Sequence, residues 1–258
     1  YKAEHMVMRA FWNLHGPGCN EHLLVHKIRQ SEDFIPELTY VAELDGEIVG
    51  AIYYTKAKVV NGDTVHDIIT FGPLAVEPTL QNGEIGKKLL EKTMGLAKEM
   101  EYSGIAIYGE PDYYPKLGFL TCDNFQITDP NGENYGPLMG YRLNDSWDQV
   151  HGKLYESKMF EECEDPEELA EFNKQFPYYE PLSLKCQWVH KEKIGRICEI
   201  QKNMFIIKYF ELELPAKIKG SFHENLDFEM PLVGDYVTFL YNPTGESTIL
   251  SVCERSYQ

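Results

Sequence analysis

Residues 71–100 read FGPLAVEPTLQNGEIGKKLLEKTMGLAKEM and combine an apolar strand, a loop with two glycines and an amphipathic helix. Because proline lacks an N–H and glycine weakens a strand interior, Gly72-Pro73 predicts a bulge or splay in mid-strand. The apolar face of the helix consists of Ile85, Leu89, Leu90, Met94, Ala97 and Met100. A buried-type strand, GIAIY, follows at residues 104–108, so the segment predicts a right-handed βαβ unit.

Helices and strands are also predicted on both sides of this unit. Asp45-Gly46 separates two alternating apolar runs and predicts a hairpin with strands at 39–44 and 47–59. An amphipathic pattern predicts a helix at 20–30, a short helix is expected within 109–119, and further strands at 124–128 and 137–143. Asp165, Pro166 and Glu168 have the spacing of a capping box and predict a helix at 166–176.

The composition changes after a connector at residues 178–185. Five short β-rich runs separated by turn residues lie within residues 187–258 and predict a small barrel or sandwich. We therefore expect two domains, at residues 1–180 and 187–258. No G-x-x-x-x-G-K-[ST] motif occurs in the sequence, so nucleotide hydrolysis is not expected.

Charge, hydropathy and cysteine spacing restrict the classes of partner. The 258 residues carry a net charge of −17, and residues 187–258 hold 8 Lys and Arg against 10 Asp and Glu, so the first domain is strongly acidic. Such a surface attracts a cationic amine and repels nucleic acid. No apolar run is long enough to span a membrane, and the start is unlike a secretory signal, so we expect a cytoplasmic protein.

Metal and disulfide sites are not expected from the sequence. The six cysteines are widely spaced and form no C-x-x-C pair, which favours reduced thiols. His22 and His26 lie four residues apart on the first predicted helix, but no third ligand accompanies them.

The loop between the bulged strand and the helix has the properties of an anion cradle. Its residues are Gln81, Asn82, Gly83, Glu84, Ile85, Gly86 and Lys87. Glycines let the backbone approach a ligand, and the first N–H groups of the helix point outward at its positive dipole end. The alternative is an ordinary connection between a strand and a helix.

The strand FGPLAVEP, the loop QNGEIG, the helix KKLLEKTMGLAKEM and the later YPKLGF together resemble the coenzyme A-binding core of GNAT acetyltransferases. The resemblance extends over about residues 5–180. The family's loop pattern, Gln/Arg-x-x-Gly-x-Gly/Ala, is matched at Gln81 and Gly86. At the position of the pattern's central glycine, this sequence has Glu84. A carboxylate there would repel a bound pyrophosphate by about 1 kcal/mol, and losing glycine narrows the allowed backbone.

The resemblance implies an α+β GNAT fold with a mixed, mostly antiparallel, splayed central sheet, and acetyl-CoA as co-substrate. It also implies that the backbone of Leu74, Ala75 and Val76 pairs with the pantetheine arm. Glu77 would face the substrate amine or take its proton through water, unless it is only a solvated carboxylate.

Two adjacent tyrosines compete for the role of acid. By resemblance, Tyr114 would protonate the departing thiolate. Tyr113 is the rival for that role, and both side chains could instead only pack a short helix against the core.

Residues 194–255 resemble the N-terminal OB-fold of the small-ribosomal-subunit-dependent GTPases, through IGRICEIQKNMFII, LPAKIKG, PLVGDYVTF and ILSVCERS. The resemblance implies an OB-like barrel. A nucleic-acid surface on it would use Lys202, Lys208, Lys217, Lys219, Tyr209 and Phe210. The alternative is that these lysines are simply solvated around a structural barrel.

The leading hypothesis is an N-acetyltransferase that transfers an acetyl group from acetyl-CoA to a primary amine in a ternary complex. The acceptor would be a small molecule or a protein amino group. The alternative is a non-catalytic CoA-sensing protein, or one that makes a weak contact with the ribosome or RNA through residues 187–258.

Overall fold

The computed structural model describes residues 1–183, 192–202, 204–218 and 230–253. The chain divides into two compact units. The first consists of Tyr1–Ala10 and Asn20–Phe176, and the second of Phe11–Cys19 and Pro177–Gln258. The domain limits expected from the sequence, 1–180 and 187–258, stay a prediction.

Residues 1–183 contain five α-helices and eight β-strands. The helices are α1 Lys2–Phe11, α2 Glu21–Ile28, α3 Ile85–Glu99, α4 Met159–Glu162 and α5 Pro166–Asn173. The strands are β1 Tyr40–Leu44, β2 Glu47–Asn61, β3 Thr64–Val76, β4 Gly104–Tyr108, β5 Leu120–Thr121, β6 Ile127–Thr128, β7 Leu138–Arg142 and β8 Gly152–Tyr155. Short 3-10 helices occupy Pro36–Leu38, Pro78–Leu80, Tyr114–Leu117, Cys122–Phe125 and Asp145–Gln149.

The eight strands form one mixed sheet in the order β5-β7-β4-β3-β2-β8-β6, and β1 pairs with β2. The β3–β4 and β6–β8 pairs are parallel, and the other neighbours are antiparallel. Helix α3 makes the crossover between the parallel strands β3 and β4, as the sequence predicts. The expected α+β fold with a mostly antiparallel sheet is therefore confirmed.

Strand β3 contains the bulge that Gly72-Pro73 predicts. Ile52 of β2 pairs with Leu74 of β3, and Tyr54 of β2 pairs with Phe71 of β3. Between these two pairs β3 contains one residue more than β2, which is the definition of a bulge. On its other side β3 pairs with β4 at a single rung, Ile69 with Ile105. From there to the carboxyl end of β3 the two parallel strands separate.

The two faces of β3 enter different parts of the core, because successive side chains of a strand point to opposite faces. Ile69 and Phe71 pack with Leu89 and Leu90 of α3. Ile68 belongs to a second cluster, which includes Ala106, Cys122, Ile127, Leu138, Trp147, Val150 and Leu154. Each fully buried Leu, Ile or Phe stabilises the fold by about 1.5–3 kcal/mol relative to exposure.

Turn and cap residues are placed as their sequence predicts. Asp45 and Gly46 adopt φ values of 52° and 82°, the positive pair that a tight hairpin of this type requires. The Asp165 carboxylate accepts hydrogen bonds from the N–H groups of Glu167 and Glu168 at the start of α5.

The predicted strand at 124–128 is largely wrong, because a 3-10 helix covers Cys122–Phe125 and only Ile127–Thr128 is extended. No prediction from the sequence covers α1, α4, β5 or β8.

The second unit contains five described strands, β9 Lys193–Gln201, β10 Met204–Tyr209, β11 Leu212–Ile218, β12 Tyr236–Leu240 and β13 Ser247–Val252. They close into a barrel in the order β10-β11-β13-β12-β9. Its interior is filled by Ile197, Phe205, Ile207, Ala216, Val237, Phe239 and Ile249. The predicted barrel is therefore confirmed.

Cysteine states and hydropathy complete the description of the fold. Cys253 is disulfide-bonded, so the expectation of reduced thiols is wrong for this residue. Cys122, Cys163 and Cys198 are free thiols. Among the described residues, no helix has the length and apolar character that a membrane span requires.

Candidate active site

A crevice lies between β3 and β4 where the two strands separate, and the backbone of β3 forms one of its edges. In this part of β3, Leu74, Ala75 and Val76 pair with β2 on the side away from the crevice. Within residues 1–183, the rung at Ile69 is the only pairing between β3 and β4. The polar backbone groups on the open edge of β3 are therefore placed to bind an extended amide-bearing ligand.

The N-terminus of α3 lies beside this strand edge. Glu84 is its N-cap residue, and its side chain makes no capping hydrogen bond. The first N–H groups of a helix have no partner within it and carry the positive end of its dipole. Gly86 is buried, and a Cβ there would lie 3.3 Å from the Tyr113 hydroxyl oxygen and 3.4 Å from Cγ2 of Val76. Glycine thus lets the anion cradle approach the strand.

Glu84 does not need the conformational freedom of glycine. Its φ and ψ are −88° and −6°, and the left-handed residue of the loop is Asn82, with φ of 65°. The expectation from the sequence, that Glu84 in place of glycine would restrict the backbone of the loop, is therefore wrong. The Glu84 side chain is 67% exposed and lies 3.8 Å from Nζ of Lys87, so its charge is partly offset. Nearby, the Gln81 side-chain amide donates to the Val76 carbonyl over 3.1 Å, which fastens the loop to β3.

Tyr113 and Tyr114 point to different parts of the site. The Tyr114 ring packs on Phe71 and Phe119, with centroids 5.7 and 5.5 Å apart. Burial raises its pKa, so its hydroxyl stays protonated at neutral pH. Gly109 makes room for this ring, because a Cβ there would be 2.5 Å from Cδ2 of Tyr114.

The neighbouring Tyr113 belongs to the anion cradle. Its hydroxyl faces Gly86 in the first turn of α3. Burial raises its pKa, and the charges of Glu84 and Glu91 raise it further. The two tyrosines are therefore separate elements of the site.

Glu77 follows β3 and is held by an ion pair. Nη2 and Nε of Arg9 lie 2.6 and 3.2 Å from Oε2 of Glu77, and both side chains are about four-fifths buried. The same guanidinium also contacts Nδ1 of His5 at 3.2 Å. Glu77 is thus not a freely solvated carboxylate, and a proton acceptor at this position would have to act while paired with Arg9.

Glu156, which the sequence analysis did not single out, also borders the crevice. It follows β8, and its Oε1 accepts a hydrogen bond from Oγ1 of Thr70 at 3.3 Å. Burial raises the pKa of Glu156 to about 7, and the Thr70 hydrogen bond opposes that rise. No local motif marks this carboxylate, because its partner lies 86 residues away in the sequence.

His22 and His26, for which no metal site is expected, have other partners. Nε2 of His22 lies 2.6 Å from Oδ1 of Asn173, and Nδ1 of His26 lies 3.0 Å from Oε1 of Glu4. The described residues include no group of three or more metal-ligating side chains that could hold an ion.

The residues named for a nucleic-acid surface differ in their exposure and in their contacts. Lys202 and Lys208 are exposed, but Lys217 forms an ion pair of 2.6 Å with Glu246. Tyr209 packs edge-on against Phe239 of the barrel core. Phe210 packs against Tyr179, and Lys219 lies outside the described residues.

Residues 36–120 match the family model of the acetyltransferase (GNAT) domain. This part of the chain, about a third of its length, is similar to a GNAT acetyltransferase domain. The matched range runs from the first 3-10 helix to β5 and includes the bulged strand, the α3 cradle and both tyrosines.

Known acetyltransferases are similar to parts of the chain. YjhQ of Escherichia coli K12, an uncharacterised N-acetyltransferase, is 29% identical over 100 residues, which are 38% of this chain and 55% of YjhQ. The match thus spans about half the length of that relative. The structure of the GNAT family N-acetyltransferase YhbS from Escherichia coli, in complex with CoA, superposes with a TM-score of 0.53 at 19% identity, covering 62% of this chain and 87% of YhbS.

A GNAT family acetyltransferase from Brucella melitensis, solved with acetyl-CoA, gives a TM-score of 0.49 at 20% identity. The superposition covers 62% of this chain and 90% of that protein.

Proposed function

We propose that the chain is an N-acetyltransferase that transfers the acetyl group of acetyl-CoA to a primary amine. The observation that carries the proposal is the open edge of β3 lying directly beside the uncapped N-terminus of α3. The strand edge can pair with amides and the helix N-terminus with a pyrophosphate, and coenzyme A contains both groups. The similarity to YhbS, solved with CoA, supports the same co-substrate.

The cradle, residues 81–87, would hold the pyrophosphate through the backbone N–H groups at the start of α3. Lys87 adds a positive charge within the first turn of α3. Its Nζ lies 3.8 Å from a carboxylate oxygen of Glu84 and 3.9 Å from one of Glu91, so this charge is partly offset. The backbone of Leu74, Ala75 and Val76 would pair with the pantetheine arm. This arrangement directs the thioester toward the point where β3 and β4 separate.

Tyr114 is the proposed general acid. When the amine attacks the acetyl carbon, the C–S bond breaks and its electron pair remains on sulfur. A phenol whose pKa is raised by burial is fully protonated at neutral pH and can donate to that sulfur. Tyr113, whose hydroxyl faces Gly86, is better placed to donate a hydrogen bond to the pyrophosphate.

The acceptor class follows from charge. A net charge of −17, most of it on the first domain, favours the approach of cations. A small amine and a protein amino group both fit this criterion, so the proposal includes both.

Calorimetric titration of acetyl-CoA into the native chain, Glu84→Gln and Glu84→Gly tests the co-substrate site. We expect micromolar binding by the native chain. Both variants should bind up to about fivefold more tightly and equally well, because the charge and not the backbone opposes the anion. Stronger binding by the glycine variant alone would mean that the backbone matters.

An amine panel then tests catalysis. Release of CoA thiol that depends on both acetyl-CoA and an amine is the expected result. Failure of all three proteins to bind acetyl-CoA would overturn the proposal. Binding without turnover of any amine would favour the non-catalytic, CoA-sensing alternative.

A further inference from the structure

The face of β3 that points away from α3 is covered by the segment that follows β8. Thr70 lies on this face, because it is two residues from Ile68 of the second core cluster. Glu156 bonds to Thr70, and a Cβ on Gly72 would lie 3.1 Å from Cε1 of Phe160. Residues 156–160 therefore pass over β3 just where it leaves β4.

The side chain of Glu156 is largely buried but remains partly exposed to solvent. Burial raises the pKa of its carboxyl group. Within the described part of the chain, no Lys, Arg or His forms an ion pair with it, and Thr70 is its recorded hydrogen-bond partner. Glu77, a second carboxylate near the crevice, is paired with Arg9. Glu156 thus offers a negative charge whose cationic partner is missing.

An aromatic group from β4 faces the same space. Tyr108 ends β4 and, two residues after Ala106, shares the face of the second core cluster. It is 39% exposed and stacks on Tyr135, with ring centroids 6.0 Å apart. Burial raises the pKa of Tyr108, and the charge of Glu156 contributes to that rise.

We infer that the crevice bordered by Glu156, Thr70, Tyr108 and Phe160 binds the ammonium group of the acceptor, and that Glu156 takes its proton before acetyl transfer. This inference rests on the proposed function and assigns the acceptor side of the same site. A carboxylate without a cationic partner, flanked by aromatic rings, matches a primary ammonium group in charge and in cation–π contact.

The reaction balances with the groups present. Glu156 removes one proton from the ammonium group, and the freed lone pair forms the C–N bond with the acetyl carbon. The C–S bond breaks, and its electron pair leaves on sulfur. Tyr114 protonates the sulfur and recovers a proton from the acetylated nitrogen. Glu156 then releases its proton to solvent, so the products are the amide, the CoA thiol and one proton.

The pH dependence follows from the same groups. A carboxyl group with a pKa of about 7 is ionised in roughly half of the molecules at neutral pH, close to the optimum for a proton acceptor. The titratable groups that act on the neighbouring Tyr108 are Tyr135, Asp129 and Glu156 itself. Burial keeps Tyr108 protonated near pH 7, and backbone N–H donation, first from Glu133, lowers the pKa of Asp129. Glu156 should therefore be the group in this crevice that titrates there.

The test measures acetyl transfer by the full chain to 2-phenylethylamine, spermidine and a lysine-containing peptide, from pH 5.5 to 9. Glu156→Gln is compared with Glu161→Gln, which removes an exposed carboxylate on α4. We expect Glu156→Gln to lower kcat/KM by roughly 100-fold or more and to abolish the inflection near pH 7. Its calorimetric Kd for acetyl-CoA should stay as in the native chain, and its thermal unfolding should remain cooperative.

Each remaining outcome is decisive. Unchanged acetyl-CoA binding, with both glutamine variants equally active, would overturn the role of Glu156 and leave the proposed function standing. Acetyl-CoA binding without transfer to any of the three amines would overturn the amine site. Absence of acetyl-CoA binding by the native chain would remove the proposed function itself.

Discussion

The guanidinium group of Arg9 on α1 lies 2.6 Å from the Glu77 carboxylate, at the end of the bulged strand β3. The two residues are 68 positions apart, and both are largely buried. The pair ties the N-terminal helix to the strand that carries the proposed pantetheine edge. Glu77 therefore has a structural role, whereas the proton-accepting role predicted for it from the sequence stays a prediction.

Arg9→Ala and Glu77→Gln, alone and combined, should reveal a coupling energy of about 1–2 kcal/mol in the free energy of unfolding, because each single change leaves a largely buried charge or its partner unsatisfied. Urea denaturation measures it. The Lys2–Glu47 pair, with side chains 61% and 71% exposed, is the control and should couple by less than about 0.5 kcal/mol. Equal coupling in both pairs would contradict a special role for Arg9 and Glu77.

Phenylalanine substitutions should separate the two tyrosines. Tyr114→Phe is expected to lower kcat by roughly 100-fold or more while leaving the KM for acetyl-CoA nearly unchanged, because it removes a proton donor. Tyr113→Phe should instead raise that KM several-fold, since its hydroxyl faces the α3 cradle. Steady-state kinetics with varied acetyl-CoA distinguish the effects, and the reverse pattern would assign the acid to Tyr113.

Two glycines of the same helix offer a matched comparison. Gly86→Ala would place a methyl group 3.3–3.4 Å from the Tyr113 hydroxyl and Val76, within the cradle, and should weaken acetyl-CoA binding about tenfold. Gly95→Ala meets no atom within 4 Å and should leave binding unchanged. It should stabilise the chain by about 0.5–1 kcal/mol, because alanine is the better helix former. Calorimetry and thermal unfolding test both, and equal affinities would argue against the cradle.

The raised pKa of Glu156 predicts a pH-dependent stability. The folded pKa of about 7 exceeds the ordinary value of 4.5, so its contribution to stability is full below about pH 4.5 and is lost as the pH rises to about 7. The loss is about 3 kcal/mol at most. Glu156→Gln should not show it, so its unfolding free energy relative to the native chain should increase from pH 4 to pH 8. A pH-independent difference would contradict the raised pKa.

Thr70→Val should move the activity profile. Its hydroxyl donates to Glu156 and lowers the pKa of that carboxyl group, so its removal should shift the inflection of kcat/KM above pH 7. Thr55→Val is the control, because the described residues provide no hydrogen-bond partner for the buried Thr55 hydroxyl. It should leave the inflection in place. A shift of equal size in both variants would show that the effect does not pass through the hydrogen bond.

Much of the fold could be derived from local sequence. The strand, loop and helix of residues 71–100, the hairpin at Asp45 and Gly46, and the Asp165 cap all agree with the structure. Each depends on residues close together in the chain, whose hydrophobic period, missing N–H or capping oxygen acts within a few positions. The barrel could be predicted for the same reason. A contact of that barrel with the ribosome or RNA stays a prediction.

The chemistry of the site depends on segments that only folding brings together. Adjacent in sequence, Tyr113 and Tyr114 are equivalent candidates, and they separate because one faces Gly86 and the other packs on Phe71. Glu156 gains its raised pKa from burial next to Thr70, which no spacing rule anticipates. Local periodicity thus determines which elements form, whereas burial and charge pairing, which set the reactivity of a side chain, act through space between residues far apart in the chain.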